Sequence, residues 1–429
     1  MNVIQDEKLL KSNCLELTNN TACLVVGGSS ITSLSASGNI DKHSFYPKTL
    51  EEYLNGIVDT ALQYGRLNKN TKGVAIIALA GAVQREGELV GLTENFRLVR
   101  EDAQQQKGMH ILLFRQLVEE EFAKRGYNIR VFGYNDTVPA LSAIISQPNT
   151  NEVLNNFEEE LGIHDKSLYS LKYMINGTGT GEASLNPDTA IITTAEKGHL
   201  KPNYLWYTIN PFFKFITRFA IVGENRSIER SLAGGPAQRS VRHFSKILNE
   251  VIMVLKNKNH AEVEGLSQVL GFRNREELVK ADGINGVLNI IPDETKPSVL
   301  PDLGKAIERG SQVAINIKNA FARGLGSSMA YMHFAMGEMP DTPLNTFIGP
   351  NDIRESALGF IRNDASTTAL LTGKEVWETL NQSAQQYANA VLINKPNLFK
   401  VLNINEVFPN IHPDFGGLPA LAESKLKNL

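Results

Sequence analysis

With 429 residues the chain exceeds what a single hydrophobic core usually serves, so two domains or a split pair of lobes are expected. Its 42% hydrophobic and 21% charged residues are those of an ordinary globular protein and exclude the disordered and membrane-embedded classes. A formal net charge of -3, with no long cluster of Lys or Arg, removes the basic footprint that nucleic-acid binding requires.

The first strong element is the apolar run 21–31, broken by Gly27-Gly28, which reads as a buried strand turning sharply into a second. The chain then heads for a turn at Asn39-Ile40-Asp41. After it, 48–64 carries Leu50, Tyr53, Leu54, Ile57, Val58, Ala61 and Leu62 at helical spacing. Residues 73–80 are continuously apolar, the mark of a strand buried on both faces, and end at Gly81. A helix over 112–125 and another buried strand over 129–132 follow, the strand running into Gly133-Tyr134-Asn135-Asp136. Asn135-Asp136 thus sits at a strand's carboxyl end, where open α/β sheets bind ligands.

The charged stretch around 147–169 reads as loop-rich. Residues 171–175 form a strand entering Gly177-Thr178-Gly179-Thr180-Gly181, and a second turn at Asn186-Pro187-Asp188 precedes a β-branched strand over 190–194. The rest is mainly helical, over 240–255, 303–336 up to Gly337, 377–392 and 418–426, with one short last strand over 346–349. No short-period repeat and no low-complexity tract appears.

The two cysteines, Cys14 and Cys23, stand apart from any histidine cluster. Neither a metal site built on cysteine nor a disulfide framework is expected, and a reducing cytoplasm fits. No uninterrupted apolar stretch reaches the roughly 18 residues of a membrane span, and no signal-peptide core opens the chain, so no membrane partner is expected.

Three glycine turns follow strands, at Gly27-Gly28, at Gly177 to Gly181 and at Gly349. Glycine lets backbone N–H groups approach phosphate oxygens, and two facing turns would clasp a nucleotide between two lobes; a plain hairpin accounts for any one of them equally well. Asn135-Asp136 lies between the first two turns, and Glu196-Lys197-Gly198-His199 follows the second. Phosphoryl transfer to a hydroxyl needs a carboxylate to take the proton and groups that hold the acceptor in line. Asp136 suits the first task, and Asn135, Glu196 and His199 suit hydrogen bonding to sugar hydroxyls. Taken alone, an Asn-Asp pair is more often a turn or helix cap, and a lone histidine a structural residue.

In order along the chain, Gly27-Gly28-Ser29, Gly81-Ala82-Val83, Asn135-Asp136, Gly177-Thr178-Gly179-Thr180-Gly181, Glu196-Lys197-Gly198-His199, Ile228-Glu229 before Ala233-Gly234-Gly235-Pro236, and Ile348-Gly349 resemble the landmarks of the ROK sugar kinases over roughly residues 20 to 350. The resemblance implies an α/β fold of the actin-like ATPase superfamily, two ribonuclease-H-like lobes around a cleft. Residues 1–134 would form the small lobe, completed by the C-terminal helix, and 135–429 the large one. It implies ATP-dependent phosphorylation of a hexose or N-acetylhexosamine with Asp136 as base. Asn135, Glu196, His199 and Glu229 would contact the sugar, with Gly81 and Asn95 as further candidates. Gly27, Gly28, Ser29, Gly177, Thr178, Gly179 and Gly349 would face the nucleotide.

The departures from the pattern bear on the cofactors. The family's first turn usually carries an acidic residue that helps hold Mg2+, yet Val25 stands there. The family's cysteine-bearing zinc loop is absent, so no zinc is expected. In its place 201–227 carries Tyr204, Trp206, Tyr207, Phe212, Phe213, Phe215 and Phe219, which are expected to pack as core or as the surface of a homodimer rather than as a lid. Two further readings stay open: a catalytically silent sugar-binding relative, motivated by Val25 and Pro350, and a transcriptional regulator, against which stands the lack of a helix-turn-helix before the first strand.

Overall fold

The N-terminal sheet is built from β1 (Thr21–Val26), β2 (Ser30–Leu34), β3 (Ile40–Ser44), β4 (Lys72–Leu79) and β7 (Asn128–Asn135), in the order β3-β2-β1-β4-β7. The computed structural model describes residues 17–27, 30–79, 81–84, 88–92, 97–107, 113–145, 147–162, 164–176, 180–188, 191–194, 198, 200–217, 227–232, 244–290, 300–334, 337–338, 347–348, 355–363, 369–393, 397–409, 415–427 and 429. β1 pairs antiparallel with β2 and β2 with β3, whereas β1–β4 and β4–β7 are parallel. The turn expected at Asn39-Ile40-Asp41 lies a few residues earlier. Gly38, at φ 82°, turns the chain, and Ile40 and Asp41 already pair with Leu34 and Ser33.

Parallel strands need crossovers, and here they are helices that cover the sheet. α1 (Leu50–Tyr64) starts at Thr49, whose hydroxyl accepts the Glu52 N–H at 3.1 Å. Together with α2 (Phe114–Lys124), it buries Tyr53, Ile57, Phe114 and Phe122 against Leu24, Ala75 and Ile77. The C-terminal helix α8 (Leu418–Lys427) returns to pack on β1 and β4.

The second sheet repeats this plan with residues that share no visible sequence period with the first. β8 (Tyr169–Asn176), β9 (Thr180–Asn186), β10 (Ile191–Thr194), β13 (Ser356–Asn363) and β14 (Phe399–Asn403) lie in the order β10-β9-β8-β13-β14. The first three are antiparallel neighbours, and β8–β13 and β13–β14 are parallel. Two small sheets are added by β5 (Gly81–Gln84) with β6 (Glu88–Leu92), and by β11 (Gly337–Glu338) with β12 (Phe347–Ile348).

Two sequence expectations are corrected here. The short strand near 346–349 is not the last: among the described residues it pairs only with β11, and β13 and β14 follow it in the main sheet. β13 is masked in the sequence by its interior Gly359, which is there for packing, since a β-carbon would run into Met329 Sδ. The stretch 147–169 is not all loop. It contains α4 (Thr150–Leu161), whose amphipathic stripe buries Leu154 and Phe157 and which ends on Gly162 in the left-handed conformation.

Between the sheets lies α3 (Thr137–Ile145), which packs on β4 and β7 of one and on β8 and β9 of the other. One continuous core therefore holds Ile76 and Phe132 of the first sheet, Leu141 and Ile144 of α3, and Tyr173, Leu185 and Phe360 of the second. The outer face of the second sheet is covered by α6 (Gln312–Phe334) and α7 (Lys374–Val391). Gly326 lets these two helices approach, because a β-carbon there would run into Leu380 O and lie 2.6 Å from Ser383 Oγ. Gly326→Ala forces the helices apart, and urea unfolding is expected to register a loss of about 3 kcal/mol or more, at the upper end for overpacking.

The aromatic segment belongs to this core. Trp206, Phe212 and Phe213, on the short helices Tyr204–Ile209 and Pro211–Ile216, are fully buried, and Trp206 Nε1 donates to Ser328 Oγ at 2.9 Å. Tyr207 and Phe215 pack at its margin, Tyr204 is exposed, and Phe219 lies outside the described residues.

Candidate functional site

Register brings three strand ends of the first sheet to one level: Val26 is opposite Leu79, and Leu79 is opposite Asn135. Just beyond them, the Gly27 N–H donates to Ser30 O at 2.9 Å, which closes the β1–β2 hairpin across 28–29. Val25, opposite Thr32 and Ala78, is half-buried and carries no ligating atom. Gly81 opens β5 opposite Leu92.

At the end of β7 the chain turns from strand to helix on Asn135. Its buried Oδ1 accepts the Thr137 N–H at 3.0 Å and also the Thr137 hydroxyl, so this amide oxygen starts α3. The bland reading of Asn135 as a cap is thus part of its role. Asp136, next in the chain, is only half-buried, and its N–H donates to Leu79 O at 2.9 Å. That bond fixes the residue at the carboxyl edge of the sheet.

The second sheet meets Asp136 through β9. A β-carbon added at Gly181 would lie 3.0 Å from Thr137 Cγ2 and 3.7 Å from Asp136 Oδ1, so the carboxylate stands against the β8–β9 hairpin rather than on an outer surface. Gly198 lies against the preceding residue of that strand: a β-carbon on it would run into Thr180 O and lie 3.2 Å from Thr180 Cβ. On the other face of the hairpin, buried Asn176 donates its Nδ2 to Leu232 O at 3.2 Å. Leu232 ends the helix α5 (Ile228–Leu232), which bears Glu229.

Asp136 and Gly181 are thereby drawn to one edge between the sheets, while Gly198 is held against Thr180 and α5 packs on β9. Gly28, Ser29, Asn95, Gly177, Thr178, Gly179, Glu196, His199 and Gly349 lie outside the described residues, as does the side chain of Glu229. Thr180 and Gly181 are the first residues of β9, not part of the turn. Sequence reasoning passed over Asn176 at the end of β8; the available signal was a polar residue directly after the apolar pair Met174-Ile175 and before Gly177. It also passed over Lys172, whose charge interrupts the same strand and is paired in the core with Glu182.

A nucleotide's phosphates would need backbone N–H groups at the two hairpins other than that of Gly27, which Ser30 O already engages. A magnesium ion held by a side chain of β1 does not fit, because Val25 offers no oxygen. Among the described residues no group of three or more His, Cys, Asp or Glu is arranged to hold a metal ion. No helix among them is long and apolar enough to cross a membrane.

No family model and no curated protein sequence matches the chain. Solved structures do. A ROK-family transcriptional regulator, described as a homologue of the E. coli MLC protein, aligns with a TM-score of 0.52 at 10% identity, over 95% of this chain and 80% of that one. A ROK-family glucokinase from Streptomyces griseus, solved with glucose and AMPPNP, aligns at 0.46 and 15% identity over 94% and 98% of the two chains. A ROK hexokinase from Thermus thermophilus aligns at 0.45 and 14% over 95% and 99%. The 3-2-1-4-7 and 10-9-8-13-14 sheets, with their matching strand directions, together with the 0.52 alignment identify the fold as that of the ROK proteins, an α/β pair of ribonuclease-H-like lobes.

Proposed function

We propose that this chain phosphorylates a hexose or N-acetylhexosamine with ATP, Asp136 accepting the proton of the attacking hydroxyl. The observation that carries this reading is the position of the Asp136 carboxylate, half-exposed at the carboxyl edge of the first sheet and facing the hairpin of the second sheet near Gly181. In that crevice a sugar hydroxyl would lose its proton to Asp136 as its oxygen attacks the terminal phosphorus and the bond to the leaving diphosphate breaks. Asn135, Glu196, His199 and Glu229 would bind the sugar, with Gly81 and Asn95 beside it. The segments 27–29 and 177–179, with Gly349, would bind ATP. No step is assigned to a protein-held Mg2+. A coupled assay across a panel of hexoses and hexosamines tests the proposal: turnover of at least one sugar is expected, and none turned over, with no sugar bound, contradicts it.

Val25 favours a second reading, a sugar-binding relative that has lost catalysis and acts as a sensor. Calorimetry separates the two, since sugar binding without nucleotide binding supports the silent form. Val25→Asp adds the missing oxygen ligand to the end of β1. On the kinase reading it raises turnover, and the gain disappears when Mg2+ is chelated. An unchanged rate rules out loss of the β1 carboxylate as the limit on activity.

A further inference from the structure

The β8–β9 hairpin has two working faces. Gly181 meets Asp136 and Thr137 on one. On the other, Asn176 is fully buried at the last position of β8, opposite both Thr180 of β9 and Asn363 of β13. Its Oδ1 accepts the Thr180 hydroxyl at 3.1 Å, and its Nδ2 donates to Leu232 O, the last carbonyl of α5, at 3.2 Å. A buried amide is costly unless both ends are hydrogen-bonded, and an apolar side chain would close a strand end at lower cost. Here the two ends reach two different elements: β9 at Thr180, and the helix that bears Glu229.

We propose that Asn176 is a positioning residue that holds α5, and with it Glu229, in register with the β8–β9 hairpin. Sugar binding then depends on a side chain of the nucleotide hairpin. This inference rests on the proposed function. Its chemistry is that of a fixed hydrogen-bonded link: an amide whose orientation is set by Thr180 presents its N–H2 to the helix carbonyl, so loosening either bond lets α5 shift while the backbone of the hairpin stays paired from Leu171 to Asn176.

The test is steady-state kinetics on the full chain, with the KM for sugar and the KM for ATP measured separately for Asn176→Leu, Thr180→Val and Thr180→Ser. Asn176→Leu is expected to raise the sugar KM about tenfold with the ATP KM unchanged, the worth of one well-made buried hydrogen bond. Thr180→Val shifts the sugar KM in the same direction by less, and Thr180→Ser, which keeps the hydroxyl, behaves as the parent. Equal rises in both KM values with a lowered Tm, or an unchanged sugar KM, overturn the proposal. If Asn176→Leu does not fold, Thr180→Val against Thr180→Ser carries the comparison. Should the parent phosphorylate no sugar, the proposed function fails by itself, and hydrogen exchange then decides the positioning role alone. Faster exchange confined to the amides of 228–232 in Thr180→Val supports it, and exchange unchanged there overturns it.

Discussion

Asp136→Asn is expected to lower kcat by about 100- to 10,000-fold, the usual worth of a positioned general base, and to leave the sugar KM little changed. Asparagine has nearly the same shape, and the bond from the residue 136 N–H to Leu79 O does not involve the side chain, so the backbone at the sheet edge is preserved. What is lost is the capacity to take up a proton. A fall in kcat without a matching rise in KM identifies an interaction made only in the transition state. Equal kcat in the two proteins, measured by the coupled assay on the same sugar, removes Asp136 from the mechanism. A large rise in KM with unchanged kcat would instead make it a binding group.

The second large effect concerns stability. Lys172 on β8 and Glu182 on β9 are fully buried and ion-paired, with the Ser184 hydroxyl donating to Glu182 Oε1 at 3.3 Å. The other carboxylate oxygen, Oε2, has no hydrogen-bond partner among the described residues. Burying two charges is costly, and their attraction compensates only while both are present. Lys172→Met strands a carboxylate beneath α6 and α7 and is expected to destabilise the protein by about 3–5 kcal/mol in urea unfolding. The double variant Lys172→Met with Glu182→Met removes both charges and is expected to recover most of that loss. Single and double losses that simply add would show that the pair is not coupled.

How much of this was legible in the sequence depended on whether the signal was local. The buried parallel strand Lys72–Leu79 declared itself by continuous apolarity, and α1 by the spacing of Leu50, Tyr53, Leu54, Ile57 and Val58. The place of Asp136 at a strand's carboxyl end was legible because a polar pair followed an apolar strand. By contrast β13 was missed because Gly359 lowers the strand signal of Ser356–Asn363, and the reason for that glycine is a contact with Met329, distant in the chain. Asn176 was missed for a related reason, since its partner Leu232 lies far along the sequence and only folding brings the two together. The duplication of the sheet is likewise invisible in residue identities and appears only in strand order. Of the sugar-side candidates, Glu196 and His199 lie outside the described residues, and Gly198 between them is the point that ties their segment to Thr180.

The central geometric claim is best tested by a crystal structure of the protein with a bound hexose and a nonhydrolysable ATP analogue. The account predicts the sugar between the two sheets, with one of its hydroxyl oxygens roughly 2.6–3.2 Å from an Asp136 carboxylate oxygen. A sugar seated elsewhere, or an Asp136 side chain turned from it, would contradict the account.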